Sequence, residues 1–253
     1  MIIDCFTFFR ELDLLEGRLE YLYDSVDYFV IVEADITFAG KKKPLNFLSN
    51  IKRYKKYLDK IIYQPITIDT TLFHDNFNWQ IEFAQRGHID QVVKLFDNNA
   101  VVMISDLDEI PLKQLLPDFI QLLDKFDSVT AEQRTYYYNF SQYIPQDWCG
   151  TVICKKALMN KFTAQQLRDQ RWQMAAAKNA GYHLSFWGSP EDIKTKIENF
   201  SHQEFNNSTY TDIEKISHRL QQGLDPFDRF AMIAANIDDV DSEFYEVFKK
   251  HTG

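Results

Sequence analysis

Residues 101–111 read Val-Val-Met-Ile-Ser-Asp-Leu-Asp-Glu-Ile-Pro, and this stretch decides the fold. Its four leading apolar residues predict a short strand that is buried on both faces. The strand runs into three acids, and the proline that follows them suits the first turn of a helix. Carboxylates at the carboxyl end of a buried strand lie where open α/β sheets place their ligands. We therefore expect a ligand site at this point of the chain.

Asp106 and Asp108 are the candidate ligating residues of this stretch. In an extended chain they share one side, while Leu107 points away. Two neighbouring carboxylates repel each other and are costly to desolvate unless a divalent cation or several donors offset their charge. The alternative is a solvated loop whose acids cap the positive end of the next helix. We favour a metal site.

Length and charge limit the classes of protein to consider. A chain of 253 residues can bury a sizeable core as one domain, or as one domain with an appendage. Its net charge of −9 disfavours a broad surface for nucleic acid or anionic membranes, so we expect no duplex nucleic acid as a partner. The three cysteines are too few and too scattered for a disulfide framework or a thiolate zinc site.

The first residues, Met1-Ile2-Ile3-Asp4-Cys5, lack the basic region and cleavage site of a signal peptide. No apolar run approaches the length of a membrane span. We therefore expect a soluble, cytoplasmic protein.

Strands and helices alternate through the first half of the chain. The hydrophobic patterns predict strands over 2–9, 27–33, 60–68 and 101–104, with helices over 11–23, 50–58 and 76–96. The second half mixes predicted helices over 111–125 and 163–177 with strands over 128–140, 150–154 and 182–186, and is helical beyond 189. We expect an α/β fold: a Rossmann-like, mostly parallel sheet flanked by helices, with a helical C-terminal tail.

Several short motifs, taken in order, resemble glycosyltransferase family 17. They are Asp4-Cys5-Phe6, Glu11-Leu12-Asp13, Val30-Ile31-Val32-Glu33-Ala34, Lys43-Pro44-Leu45, the acidic stretch at 105–111, Tyr136-Tyr137-Tyr138 and Gly181-Tyr182-His183-Leu184-Ser185. The resemblance runs from residue 2 to about residue 206, and it rests on the order and number of these motifs. Arg10 stands where Asn is expected, and Tyr182 where Trp is expected.

The resemblance implies a GT-A fold over residues 1–206, with residues 207–253 as a helical extension packed on it. It also implies an inverting transfer from a UDP-sugar, usually UDP-N-acetylglucosamine, to a hydroxyl of a glycan or another acceptor. The segment Asp106-Leu107-Asp108 resembles the DxD motif of that fold, which holds Mn²⁺ or Mg²⁺ on the diphosphate. A hard cation there neutralises the charge that builds on the departing UDP.

The resemblance also suggests roles for single residues. Asp108 would bind the metal directly, and Asp106 would reach the ribose or a metal-bound water. His183 is a candidate third metal ligand, although a lone histidine in an apolar strand is often a hydrogen-bonded core residue.

Other residues are candidates for the donor pocket. Glu33 ends a predicted strand, where it would face a pocket or pair with a lysine. Arg86, Arg168 and Arg171 are candidates for the diphosphate, because a planar guanidinium suits phosphate oxygens. We also place Phe6, from the first matching motif, in the donor pocket.

Inversion requires one carboxylate to take the proton of the acceptor hydroxyl. The candidates are Asp169, Glu191, Asp147 and Glu204. The resemblance favours Asp169, because it follows the strand predicted at 150–154 at about the offset where enzymes of the GT-A fold place their base.

Two other functions share part of this sequence pattern. A haloacid-dehalogenase-like phosphatase also uses an Asp-x-Asp after an apolar strand, but there the motif normally lies on the first strand, whereas here it lies beyond residue 100. A non-catalytic sugar-binding module would use aromatic and acidic residues, but it would not explain acids at mid-sheet.

Overall fold

The computed structural model describes residues 1–73 and 77–251. The strands are β1 (Ile2–Phe8), β2 (Tyr28–Ala34), β3 (Ile61–Ile66), β4 (Val101–Asp106), β5 (Glu109–Pro111), β6 (Ser128–Tyr137), β7 (Gln142–Tyr143), β8 (Trp148–Lys155), β9 (Ala175–Ser185) and β10 (Ile233–Ala234). The α-helices are α1 (Leu12–Leu22), α2 (Asn46–Ser49), α3 (Phe77–Val93), α4 (Leu116–Leu122), α5 (Ala164–Asp169), α6 (Pro190–Ile197), α7 (Ile213–Gln222) and α8 (Ser242–Lys250). Short 3₁₀ segments, the longest of them Ile51–Lys60, connect several of these elements.

The strands form one mixed sheet in the order β10-β7-β6-β8-β4-β1-β2-β3. The strands β3, β2, β1 and β4 are parallel, β8 runs antiparallel to β4 and β6, and β9 pairs with both β6 and β5. Helices cover both faces of the sheet. The predicted α/β fold with a helix-flanked sheet is therefore confirmed. The sheet is mixed rather than mostly parallel: β1 to β4 form one parallel group, β6 and β9 form a second parallel pair, and the remaining pairs are antiparallel.

Strand periodicity sorts the core into two faces. In β1, Ile3 and Cys5 pack in the cluster that contains Ile89 of α3, whereas Phe6 and Phe8 pack in the cluster that contains Leu15 of α1. The same alternation in β4 puts its even-numbered residues on the α3 face and its odd-numbered ones on the α1 face. The two faces of the central strands therefore lead to different helices, which positions the side chains at the strand ends.

Three sequence predictions are wrong in detail. Pro111 does not begin a helix; it ends β5, which pairs with β9, and α4 starts only at Leu116. The helix predicted over 163–177 ends at Asp169, because the chain enters β9 at Ala175. The segment predicted as a helix over 50–58 is the 3₁₀ segment Ile51–Lys60. Position 76, the predicted start of α3, lies outside the described residues.

The C-terminal helix α8 packs on α1. Its Phe244 and Phe248 are fully buried and stack with ring centroids 4.3 Å apart. A Cβ at Gly17 of α1 would lie only 2.7 Å from the Phe248 ring, so the glycine allows this close approach. The division of the chain at residue 206 remains a prediction. Within residues 1–73 and 77–251, no helix has the length and apolar character needed to cross a membrane.

Candidate active site

A cleft of about 480 Å³ opens at the carboxyl ends of β1 and β4, bounded by α3, α5 and α6. Its volume is within the range of small-molecule sites. Seven of the candidate site residues predicted from the sequence line it: Arg86, Asp106, Asp108, Arg168, Asp169, Arg171 and His183. The fold therefore gathers most of the predicted site at the sheet edge where we expected a ligand.

The acidic segment is a tight turn between two strands. β4 ends at Asp106, residues 107 and 108 form the turn, and β5 begins at Glu109. β5 pairs with β9 at Gly181, where a Cβ would lie 2.4 Å from the carbonyl oxygen of Ile110. Glycine at this position therefore allows the chain to leave the turn against β9.

Asp106 is held by two arginines from different helices. Nη2 of Arg86, on α3, donates to Oδ1 at 2.8 Å, and Nη2 of Arg168, on α5, donates to Oδ2 at 3.0 Å. The side chain of Asp106 remains 36% exposed, so it faces the cleft. Burial by itself would raise the pKa of Asp106, but the two guanidinium groups outweigh burial and hold that pKa well below its ordinary value.

Asp108 faces a different set of partners. Nζ of Lys196, on α6, donates to Oδ2 at 2.8 Å, and Nε2 of His183, on β9, lies 3.6 Å from Oδ1. Burial opposes ionisation of this carboxyl, but Lys196 and then His183 outweigh it, and the pKa lies well below its usual range. Asp108 is therefore ionised at neutral pH, with a lysine at one of its oxygens.

Glu109 holds the turn through hydrogen bonds to both of its carboxylate oxygens. Its Oε1 accepts from Nη2 of Arg168 at 2.8 Å and from Nε1 of Trp148 at 2.6 Å, and its Oε2 accepts from the backbone N–H of Asp106 at 2.9 Å. The carboxylate is almost fully buried. Glu109 therefore fixes Arg168 and the turn rather than offering a free charge to a ligand.

Arg171 differs from the other cations of the cleft. Lys43, Arg86, Arg168, Lys196 and Arg229 each have a carboxylate within ion-pair distance. Among the described residues, Arg171 forms no such pair, and its buried Nε has no hydrogen-bond partner. Its guanidinium lies 5.2 Å from the ring centre of Trp148 and 5.6 Å from that of Trp172.

Burial and the neighbouring charge of Arg168 lower the pKa of Arg171. A partly buried guanidinium without a counter-ion is unfavourable until an anion arrives. Arg171 is therefore the cation of this cleft best suited to bind an anionic ligand.

The donor set determines whether a divalent cation fits. Within the described ranges, no group of three His, Cys, Asp or Glu side chains is placed to hold an ion. Asp108 Oδ1 and His183 Nε2 nevertheless face each other 3.6 Å apart in the cleft. Mg²⁺ commonly binds one or two side chains together with substrate phosphates. The residues therefore fit a cation that arrives with a diphosphate.

Two predicted donor-pocket residues lie elsewhere. Phe6 is fully buried beneath the sheet edge, 4.4 Å from the guanidinium of Arg18. Glu33 is also fully buried; its carboxylate accepts from Lys43 Nζ at 2.7 Å, from two backbone N–H groups at the start of α2, and from Tyr63 Oη at 2.9 Å. The lysine alternative that the sequence left open for Glu33 is the one observed.

The four candidate bases lie at different places relative to the cleft. Asp169 is exposed at the end of α5, lines the cleft, and accepts from Gln165 Nε2 at 2.7 Å. Asp147, Glu191 and Glu204 are exposed outside the cleft lining. Asp169 is therefore the candidate that shares the cleft with the acidic turn.

The structure adds residues that the sequence did not single out. Lys196 and Glu11 meet over Asp108, with Nζ 3.7 Å from Glu11 Oε1. Trp148 packs against His183 with ring centroids 5.2 Å apart. No sequence signal separates Lys196 from the other lysines of its helix, since the contact depends on how α6 lies on the sheet. Trp148 begins β8. The hydrophobic pattern predicted this strand over 150–154, so the sequence placed Trp148 next to a strand end, where a role in a ligand site could be proposed.

The family model of glycosyltransferase family 17 matches residues 1–236. The chain therefore belongs to glycosyltransferase family 17, and sugar transfer is the reaction class that this membership supports. A comparison with curated proteins finds no match.

Several solved structures are similar to the chain at low sequence identity. S. aureus TarS 1-349 in complex with UDP-GlcNAc is 12% identical, with a TM-score of 0.42, over 87% of this chain and 73% of that one. The galactosyltransferase LgtC in complex with donor and acceptor sugar analogs is 9% identical, with a TM-score of 0.40, over 100% and 96% of the two chains. Mannose-6-phosphate isomerase from Helicobacter pylori is 9% identical, with a TM-score of 0.40, over 70% and 85%.

Proposed function

We propose that the protein transfers a sugar from a UDP-sugar to a hydroxyl group of an acceptor, with inversion at the anomeric carbon and with the help of Mn²⁺ or Mg²⁺. N-acetylglucosamine is the sugar to test first. One observation carries the proposal: in a family 17 chain, two ionised aspartates and a ring of cations converge in one cleft at the carboxyl end of β4.

The cations of the cleft suit a diphosphate. Arg86 and Arg168 are neutralised by acids, so they mainly fix Asp106 in place. Arg171 and Lys196 are better placed to bind phosphate oxygens, because Arg171 has no carboxylate partner among the described residues and Lys196 carries a flexible ammonium group. Positive groups near a departing diphosphate stabilise the charge that develops on it.

A divalent cation would be held by Asp108 and His183 together with phosphate oxygens. When bound, it supplies further positive charge to the diphosphate leaving group. Asp106, fixed by its two arginines, would contact the ribose of the donor or a water bound to the cation.

The transfer itself requires a base on the acceptor side. The acceptor oxygen attacks C1 from the face opposite the diphosphate, the bond between C1 and the phosphate oxygen breaks, and the bonding electrons leave with UDP. We assign the acceptor proton to the carboxylate of Asp169, which lines the cleft at the exposed end of α5.

A screen for UDP release tests the proposal. The protein is incubated with UDP-N-acetylglucosamine, UDP-glucose, UDP-galactose and related donors, each with Mn²⁺, Mg²⁺ or a chelator, and free UDP is measured. We expect metal-dependent UDP release from one donor and its loss in Asp108→Ala.

Two other results would overturn the proposal. Hydrolysis of a phosphate monoester without UDP release would indicate a phosphatase. Binding of free sugars without turnover of any donor would indicate a sugar-binding module.

A further inference from the structure

Lys196 contacts one carboxylate oxygen of Asp108, and His183 faces the other. Nζ of Lys196 lies 2.8 Å from Oδ2 of Asp108 and 3.7 Å from Oε1 of Glu11, and the lysine side chain is 24% exposed. The charge of Asp108 is thus already offset by a residue of the protein itself. Lys196 and a divalent cation would therefore compete for the negative charge of Asp108.

We propose that Lys196 is the counter-ion of Asp108 in the donor-free protein and moves to an oxygen of the donor diphosphate when the nucleotide arrives with a divalent cation. This exchange makes cation binding depend on the diphosphate. The inference rests on the proposed function, because it needs a diphosphate donor and a cation on Asp108.

Electrostatics explain why the cation alone binds poorly. An ion at Oδ1 of Asp108 would lie only a few ångströms from the ammonium group of Lys196, and like charges at that distance repel strongly in a partly buried site. His183 is the other side chain facing that position, and it is neutral whenever it binds a metal. The protein therefore offers a free divalent ion one carboxylate that is already neutralised.

A diphosphate changes this balance. Its negative charges offset both the divalent ion and the lysine, so all three can lie together. The phosphate oxygens also complete a coordination shell that Asp108 and His183 leave incomplete. We therefore expect metal and nucleotide to bind as a unit.

The surroundings of Lys196 allow the ammonium group to move without moving the helix. Ile193 and Ile197 hold α6 in an apolar cluster, and both are almost fully buried. The lysine has a flexible four-carbon stem, and Glu11 offers a second acceptor close to the first. Only the side chain has to change position.

Titration of Mn²⁺ alone, followed by electron paramagnetic resonance of the free ion, tests the inference. It is carried out on the whole protein without nucleotide and repeated at saturating UDP. Lys196→Met removes the charge and keeps the stem, and Lys196→Arg keeps the charge. Lys194→Met is the control, because Lys194 lies on the same helix but pairs with Glu198 outside the cleft lining.

Without nucleotide, Lys196→Met should bind Mn²⁺ at least about tenfold more tightly than wild type, as expected when a neighbouring like charge is removed. The increase in Mn²⁺ affinity caused by UDP should shrink by the same factor. Lys194→Met should behave as wild type, and Lys196→Arg, which keeps the positive charge, should keep the weak binding of Mn²⁺ without nucleotide. Melting curves confirm that each variant is folded.

Equal Mn²⁺ affinity of Lys196→Met and wild type without nucleotide, including no binding by either, would overturn the inference. That result leaves the proposed function intact if wild type still releases UDP from a sugar donor. The proposed function fails separately, if wild type neither binds nor turns over any UDP-sugar.

Discussion

Arg18 and Asp4 form an ion pair in which both side chains are fully buried: Nε and Nη2 of the arginine donate to the two carboxylate oxygens at 2.8 and 2.7 Å. The remaining nitrogen, Nη1, donates to the backbone carbonyls of Asp106, Leu107 and Glu109 at 2.9 to 3.0 Å. One buried guanidinium thus holds the acidic turn from the face opposite the cleft. The geometry of Asp106 and Asp108 depends on a residue that no ligand can reach.

Removing this guanidinium should therefore affect both stability and the site. We expect Arg18→Met to lower the free energy of unfolding by about 3–5 kcal/mol, because it leaves Asp4 buried without its partner. Arg18→Lys should be less destabilising but should still weaken UDP binding, since an ammonium group cannot bond Asp4 and three carbonyls at once. Urea denaturation and UDP titration measure the two effects.

Arg53→Met is the matched control for Arg18. Arg53 pairs with Asp13 and Glu16 at the surface, where an ion pair contributes about 0–1 kcal/mol. Equal losses of unfolding free energy and of UDP affinity in the Arg18 and Arg53 variants would show that the buried pair does not support the turn.

Some of this arrangement follows from the sequence alone. Strand alternation places Asp4 and Ser105 on the α1 face and Asp106 on the α3 face, and the contacts obey it: Arg18 of α1 bonds Asp4 and Ser105, whereas Arg86 of α3 bonds Asp106. The spacing of Glu82 and Arg86, one helical turn apart, likewise predicts their observed pair at 2.8 Å.

Other features could not be read from local patterns. β5 has three residues, and its pairing with β9 is a tertiary contact that overrides the helix-starting preference of Pro111. Glu33 lies one residue before the end of β2, close to the predicted strand end. It caps α2 instead of facing the cleft, because the segment after β2 folds back over it. Contacts between distant segments decide both cases.

The low pKa of Asp108 predicts a pH-dependent stability. Its pKa in an unfolded chain is about 3.9, and the folded value is lower, so ionised Asp108 stabilises the fold above about pH 4. This contribution is lost as the pH falls through the folded pKa. The stability difference between wild type and Asp108→Asn should therefore be constant from pH 5 to 8 and shrink below about pH 4.

Urea denaturation of the two proteins across that range measures the difference. Asp124→Asn is the control, because Asp124 is largely exposed in its pair with Lys155 and its contribution is screened by water. If the difference in unfolding free energy between wild type and Asp108→Asn stays the same down to pH 2.5, the assigned ion pair with Lys196 is contradicted.

His183 is tested by comparing metal dependence with stability. As a metal ligand, His183→Ala should raise the Mn²⁺ concentration for half-maximal UDP release by about tenfold or more while changing the melting temperature little. Thr135→Val, which removes the hydroxyl 3.4 Å from His183 Nδ1, should give a smaller shift in the same direction. A His183→Ala protein that melts several degrees lower but keeps its Mn²⁺ response would make this histidine a core residue.

Arg171 should contribute to donor affinity through the phosphates alone. We expect Arg171→Met to weaken UDP binding by about tenfold or more, the effect of losing a charge-assisted hydrogen bond, and to leave uridine binding unchanged. Arg134→Met is the control, because Arg134 packs over the Tyr143 ring outside the cleft lining. Calorimetry with UDP and uridine decides the matter, and an equal loss for both ligands would place Arg171 away from the diphosphate.

Asp169 is tested on the acceptor side of the reaction. A general base acts on the acceptor hydroxyl, so Asp169→Asn should keep the affinity for UDP and Mn²⁺ while lowering sugar transfer by about 10²-fold or more. Slow hydrolysis of the donor should survive, because water does not need the same alignment as the acceptor. Near-normal transfer by this variant would move the role to Asp147, Glu191 or Glu204, which requires one of these exposed residues to approach the cleft in the complex. The stereochemistry of the product is an independent check, since an α-linked donor and an attack opposite the diphosphate give a β-linked product. Proton NMR of the product reads this directly, and an α-product would overturn the inverting mechanism together with the need for a base at this position.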